Sequence, residues 1–146
     1  NTITLWRNRE DWVGYSPSGV LEGPKVMIAN EYAGSGGDWM PWAFKDQKVG
    51  TLVGTRTWGG LVGISGYPPL MDGGSVTAAN FGVLDRQGNW IVENVGVAPD
   101  VEVIEWPKEI LAGRDPQLEK AVEIALKQLA ENPVRAVPMI GDPAPR

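Results

Sequence analysis

A chain of 146 residues, 42% of them apolar, is long enough for one domain with a proper core, and its formal net charge of −5 with no Lys/Arg cluster argues against a nucleic-acid surface. No apolar run approaches the length of a membrane span. The absence of cysteine and histidine excludes a disulfide framework, a thiolate metal site and most zinc or non-haem iron sites.

The chain begins at Asn1 in mid-pattern, with neither an initiator methionine nor a signal peptide, as expected of a segment cut from something longer. Residues 1–24 read as irregular. Thr2–Trp6 is a short strand candidate, followed by a charged stretch and a Ser/Pro/Gly-rich loop that ends at Gly23 and Pro24. Lys25–Asn30 is a short apolar run with turn residues on both sides and predicts a buried strand. After a loop over 31–37 a helix is expected from Asp38 to Lys45, with Asp38 as N-cap and Pro41 in its first turn. Val49–Gly54 predicts a second strand, so strand, helix and strand suggest a right-handed βαβ unit with parallel strands.

Residues 55–74 are rich in glycine and proline and predict a long ordered loop or two short strands. Val76–Leu84 and Trp90–Val92 flank Asp85–Asn89, where Gly88 can supply the positive φ of a hairpin turn. Val101–Ile104 is a further strand candidate. Asp115 and Pro116 open a helix whose Leu118, Ala121, Val122, Ala125 and Leu129 form an apolar stripe expected to face a core, and Asn132-Pro133 ends it. The tail 133–146 holds four prolines and no periodicity, and is expected to wrap over a neighbour or to be disordered. Seven scattered tryptophans are expected to fill a core or pack on a neighbouring domain, with substrate lining by Trp39 or Trp58 as the alternative.

The residue that carries chemistry is Ser35, set between Gly34 and Gly36-Gly37 where the first strand gives way to a helix. Ligands bind beyond the carboxyl ends of parallel strands, and a hydroxyl there lies beside bare N–H groups at the positive end of a helix. The stretch is not a Gly-x-Ser-x-Gly elbow, because Ala33 stands at the first glycine position. It is not a phosphate loop either, because no Gly-Lys-Ser/Thr follows.

Three stretches in order, Ala29-Asn-Glu-Tyr-Ala-Gly-Ser35-Gly-Gly-Asp38, Gly54-Thr-Arg-Thr-Trp-Gly-Gly60 and Trp90-Ile-Val-Glu93-Asn-Val-Gly-Val-Ala-Pro-Asp100, resemble the catalytic core of the tricorn protease family, within the tail-specific S41 serine peptidases. The resemblance covers about residues 24–131. It implies a partial ClpP/crotonase-like α/β fold, with a βαβ core, a β-hairpin and a C-terminal helix. Residues 1–132 would be the C-terminal portion of the catalytic domain and 133–146 a proline-rich tail. Ser35 matches the nucleophile, the Gly36 N–H one oxyanion donor, and Glu93 the acid of a Ser-His-Ser-Glu tetrad. The histidine, the second serine and the other oxyanion donor would precede Asn1, and the chain alone would be inactive. Asp38, Arg56 and Trp58 are candidate supports of the site. A Ser-Lys dyad is the competing arrangement, with Lys45 and Lys48 as the nearby lysines and Arg56 unable to act as a base at neutral pH.

Two functions therefore stand. One is a serine peptidase module acting on a peptide or protein, with no metal or organic cofactor, no nucleic acid and no membrane partner. The other is a catalytically inactive crotonase-like domain used for binding or assembly, favoured by the missing histidine. Either would pack against the N-terminal remainder of the parent protein, and exposed apolar faces on the segment alone predict a homo-oligomer. The tricorn type is cytoplasmic and related bacterial enzymes are exported, so the sequence leaves the compartment open.

Overall fold

The computed structural model describes residues 4–7, 10, 13–16, 21–65 and 68–134. Two compact units result, one of Lys25–Ala125 and the other of Asn1–Pro24 with Leu126–Arg146. In the latter, strands β1 (Thr4–Arg7) and β2 (Val13–Ser16) pair antiparallel, from Thr4 opposite Ser16 to Arg7 opposite Val13. The sequence predicts the first strand and misses the second. Val-Gly-Tyr-Ser is too short to carry an alternation, and such a strand is set by its partner's hydrogen bonds. Trp12 and the tail from Arg135 onward lie outside the described residues.

The larger unit is built on a parallel sheet in the order β3-β4-β5, with β3 at Val26–Ala29, β4 at Thr51–Gly54 and β5 at Val101–Glu102. Val26 pairs with Thr51 and Ala29 with Gly54, while Val53 pairs with Val101. Successive residues of a strand face opposite sides, and Leu52 and Val53 are both 0% exposed, so β4 is covered on both faces. Helix α1 (Gly36–Asp46) connects β3 to β4 and packs on both, as expected of the βαβ unit. The core gathers Ala29, Leu52, Leu61, Ile91, Val92 and Val97, with Met27, Trp42 and Val83 against it. The described chain is thus mixed α/β.

Helix α1 differs from expectation at its start. Ser35, not Asp38, holds the N-cap, and Asp38 is the third helical residue, from which an acid can reach back to the cap N–H. Pro41 accordingly lies buried inside the helix, where it removes one intrahelical hydrogen bond, rather than in the first turn. The helix ends in a Schellman pair, Val49 N–H to the Phe44 carbonyl and Lys48 N–H to the Lys45 carbonyl, both at 3.0 Å.

The expected hairpin shrinks to its turn. Asp85 N–H donates to the Asn89 carbonyl at 2.9 Å and Leu84 faces Trp90 as an isolated bridge. Residues 76–80 are exposed and form no ladder, because no second layer buries alternate side chains there. Of the described tryptophan side chains only Trp42 packs on the core; Trp39, Trp58, Trp90 and Trp106 are exposed, which corrects the core-filling expectation.

After β5 come a short helix α2 (Pro107–Leu111), which the sequence reading missed, and α3 (Pro116–Glu131). Asp115 caps α3 by accepting the Leu118 N–H at 2.9 Å. Its expected apolar stripe is buried only at Ala121: Leu118 is 50% and Val122 48% exposed. The buried residues of α3 are Ala121 and Gln117, whose side chain donates to the Val103 carbonyl at 3.0 Å. Among the described residues no helix is long and apolar enough to cross a membrane.

Candidate active site

Strand β3 stops at Ala29, and Asn30 turns the chain by accepting the Tyr32 N–H on its side chain at 3.1 Å and the Ala33 N–H on its carbonyl at 3.0 Å. The loop delivers Ser35 to the surface at φ 54°, ψ −112°. A non-glycine residue held there costs on the order of 1–3 kcal/mol, and such strain gathers at functional sites. A strained strand-to-helix turn thus exists without the glycine whose absence argued against it in the sequence.

The Ser35 carbonyl accepts the N–H groups of Asp38 and Trp39 at 2.9 Å each, and Gly37 N–H goes to the Gly34 carbonyl at 2.8 Å. Gly36 N–H has no acceptor among the described residues. A serine and an uncommitted N–H therefore sit side by side at the positive end of an 11-residue helix.

Asp38 is 0% exposed. Its Oδ2 accepts the N–H groups of Ser35 at 2.9 Å and Gly60 at 3.1 Å, and its Oδ1 that of Gly59 at 2.8 Å. The Ser35 N–H is shared with the Gly60 carbonyl at 3.0 Å. The loop 59–62 then continues to Glu93, whose Oε2 accepts the N–H groups of Leu61 at 2.7 Å and Val62 at 2.8 Å. Glu93 Oε1 takes no hydrogen bond from the described residues.

Glu93 is presented by a tight turn. Its N–H reaches back to the Ile91 carbonyl at 2.6 Å, closing a γ-turn on Val92 at φ 64°, and Asn94 follows at φ 60°. A buried, β-branched valine in the left-handed region is a marked outlier, here enforced by the Val95 and Gly96 N–H groups on the Val92 carbonyl at 2.8 and 2.7 Å.

Trp58 is 71% exposed but lays its ring on the two glycines beside the site. A Cβ on Gly34 would lie 2.7 Å from the ring and one on Gly60 2.4 Å, so both positions must lack a side chain for this packing. Arg56 is exposed and donates to the Val95 carbonyl at 3.2 Å, bracing the turn after Glu93 rather than Ser35. Lys45 lies roughly 15 Å along the helix from Ser35 at about 1.5 Å per residue. Its ammonium is held by Asp100 and the Ala98 carbonyl, each at 2.8 Å. Burial would raise the Asp100 carboxyl, but Lys45 and the Leu52 N–H outweigh it and hold it below the ordinary carboxylate range. Asp100 thus ties the last turn of α1 to β4. Glu31 is held low as well, chiefly by the Thr55 hydroxyl at 2.5 Å. Among the described residues no three His, Cys, Asp or Glu side chains cluster as metal ligands.

The structure therefore joins Ser35, Asp38 and Glu93 through one loop with Trp58 over it, and Gly36 follows Ser35 in the chain. The backbone of Gly59–Val62 is the component sequence reasoning missed; its one outward sign is the Gly59-Gly60 pair. Residues 7–103 match the family model of peptidase family S41. Tricorn protease homolog 1 of Streptomyces coelicolor is 43% identical over 124 residues, which take in 85% of this chain and 12% of that protein. The tricorn protease of Thermoplasma volcanium is 47% identical over 114 residues, 77% of this chain and 11% of the relative. The crystal structure of the tricorn protease superposes with a TM-score of 0.82 at 38% identity, covering 89% of this chain and 13% of that one. A cpaf mutant structure shares the fold at TM-score 0.62 and 22% identity, over 84% of this chain and 23% of its own. The chain spans 11–13% of the length of these tricorn relatives.

Proposed function

The chain belongs to peptidase family S41, and from that premise we propose that it carries the nucleophile and the acid of a serine peptidase active site, in the C-terminal portion (1–132) of a ClpP/crotonase-like catalytic domain. The observation that carries the reading is Ser35, exposed and strained at the start of α1 beside a Gly36 N–H with no acceptor among the described residues.

In this reading a histidine from outside these 146 residues takes the Ser35 hydroxyl proton as Oγ bonds to a peptide carbonyl carbon. The carbonyl oxygen becomes an oxyanion and accepts the Gly36 N–H. Collapse expels the amine, which takes the proton from the histidine, and water then hydrolyses the acyl-serine by the same route. Glu93, fixed through Oε2, offers Oε1 to a serine hydroxyl that orients the histidine. Lys45 is a poor base for Ser35, since both its distance and its pairing with Asp100 oppose that role. The chemistry calls for no metal or organic cofactor.

The absence of histidine also favours a second reading, an inactive domain used for binding or assembly. One experiment separates the two. A fluorophosphonate probe applied to the full-length protein labels Ser35 in the peptidase reading and loses the label in Ser35→Ala. A folded full-length protein that takes no label belongs to the second.

A further inference from the structure

We infer that Asp38 is a positioning residue for the nucleophile: its buried carboxylate pins the Ser35 backbone in the left-handed region and to the loop that anchors Glu93. The inference rests on the reading of Ser35 as nucleophile.

Among the described residues Asp38 is 0% exposed and no cation pairs with it. A buried carboxylate without a counter-ion is costly unless hydrogen bonds surround it. Three backbone N–H groups do so here, from Ser35, Gly59 and Gly60. Capping a helix does not explain this arrangement. A cap needs one acceptor for the N–H of Ser35, whereas two of the three donors come from a loop more than twenty residues downstream.

The side chain suits the task by its acceptor count. An ionised carboxylate accepts on both oxygens and donates from neither, while an amide of the same shape offers one acceptor and turns a donor toward the third N–H. The consequence falls on Ser35. Its N–H is held by Asp38 Oδ2 at 2.9 Å and the Gly60 carbonyl at 3.0 Å together, so φ 54° cannot relax without breaking both bonds. Gly60 closes the ring, since its own N–H returns to Asp38 Oδ2 at 3.1 Å. The residue after it is the one that grips Glu93. Asp38 touches no substrate in this scheme. It fixes the relation of the serine, the Gly36 N–H and the acid, and a displacement of about 1 Å in such a relation costs roughly 100-fold in rate.

The test compares fluorophosphonate labelling of Ser35 in full-length wild type, Asp38→Asn and a core variant, Leu52→Ala, each normalised to the folded fraction. Asp38→Asn is expected to lower the maximal labelling rate about tenfold or more while the half-saturating probe concentration moves less than twofold. Leu52→Ala is expected to lose more thermal stability than Asp38→Asn and to label at the wild-type rate. Asp38→Asn labelling within about twofold of wild type overturns the inference, and so does Leu52→Ala slowing as much as Asp38→Asn. If Asp38→Asn does not fold, wild type alone decides by amide hydrogen exchange. A Ser35 N–H protected like a core amide supports the pin, and one exchanging like an open loop removes it. Unlabelled wild type defeats the nucleophile reading and this inference with it; labelled wild type with unaffected Asp38→Asn defeats the inference alone.

Discussion

Ser35 and Glu93 are tied to consecutive residues of one loop: the Gly60 carbonyl accepts the Ser35 N–H at 3.0 Å, and the Leu61 N–H donates to Glu93 Oε2 at 2.7 Å. No hydrogen bond joins the two side chains directly among the described residues. Their separation is therefore set by backbone, and a shift of Gly60–Leu61 moves Ser35 and the Glu93 carboxylate together.

The division of labour between the Glu93 oxygens makes a separable prediction. In Glu93→Gln the amide oxygen can keep the N–H groups of Leu61 and Val62, while an NH2 group replaces the free Oε1. The variant should fold with a thermal midpoint near wild type and label Ser35 about 100-fold more slowly in the full-length protein. Glu93→Ala should lose both the anchor and the labelling. A Glu93→Gln protein that labels normally would show that Oε1 has no catalytic task.

Trp58 and Gly34 form a steric pair that a double-mutant cycle can expose. A methyl group at Gly34 would stand 2.7 Å from the indole, so Gly34→Ala must displace the ring or the Ser35 loop. We expect it to cost about 1–3 kcal/mol. Removing the ring removes the clash, so Gly34→Ala combined with Trp58→Ala should be more stable than the sum of the single variants by roughly 1 kcal/mol or more. Additive denaturant midpoints would mean that the ring makes no contact with Gly34 in solution.

Much of the fold around this candidate site was legible in the sequence because its signals are local. The apolar run before Asn30, the glycines around Ser35 and the Asp115-Pro116 start of α3 each act over a few residues, and each produced an element close to its expected place. Asp38 was legible as a helix-end acid and a candidate support of the site, but its partners Gly59 and Gly60 were not, because tertiary structure brings them to it. Val92 was illegible in principle, since a valine is the last residue that propensity would put at φ 64°. The hairpin was overestimated for the opposite reason: a turn is written in Asp85–Asn89, but a ladder needs burial that residues 76–80 do not obtain. The stripe on α3 shows the same limit, because periodicity marks an apolar face without supplying what covers it.

The Asp100–Lys45 pair sets an acid-limb prediction. Against the upward push of burial, Lys45 and the Leu52 N–H hold the folded-state pKa of Asp100 below the ordinary carboxylate range, so the folded form binds the proton less readily than the unfolded chain. Its contribution to stability is then complete above about pH 4 and is lost as pH falls through the depressed folded value. Asp100→Asn should lower the denaturant midpoint at neutral pH, and the gap from wild type should close as the pH is taken below about 4. A gap that widened in acid would reverse the sign assigned to this group. With both side chains about a third or more exposed, the neutral-pH loss should be under about 1 kcal/mol.

Lys48 gives the last test, one that bears on both fold and mechanism. It occupies the left-handed position after α1 at φ 51°, the place where glycine is the usual residue, and it does so without a side-chain hydrogen bond or ion pair among the described residues. An L-residue there costs about 1–2 kcal/mol, partly offset by the extra freedom glycine brings to the unfolded chain. Lys48→Gly should therefore gain about 0.5–1 kcal/mol in a denaturant titration. Lys48 is also the second lysine near Ser35 in sequence, but it lies past the far end of α1, beyond Lys45, so distance opposes a base role for it as well. A histidine-based site predicts unchanged fluorophosphonate labelling of Ser35 in Lys48→Gly, whereas loss of labelling in that more stable protein would contradict a site from which Lys45 and Lys48 are remote.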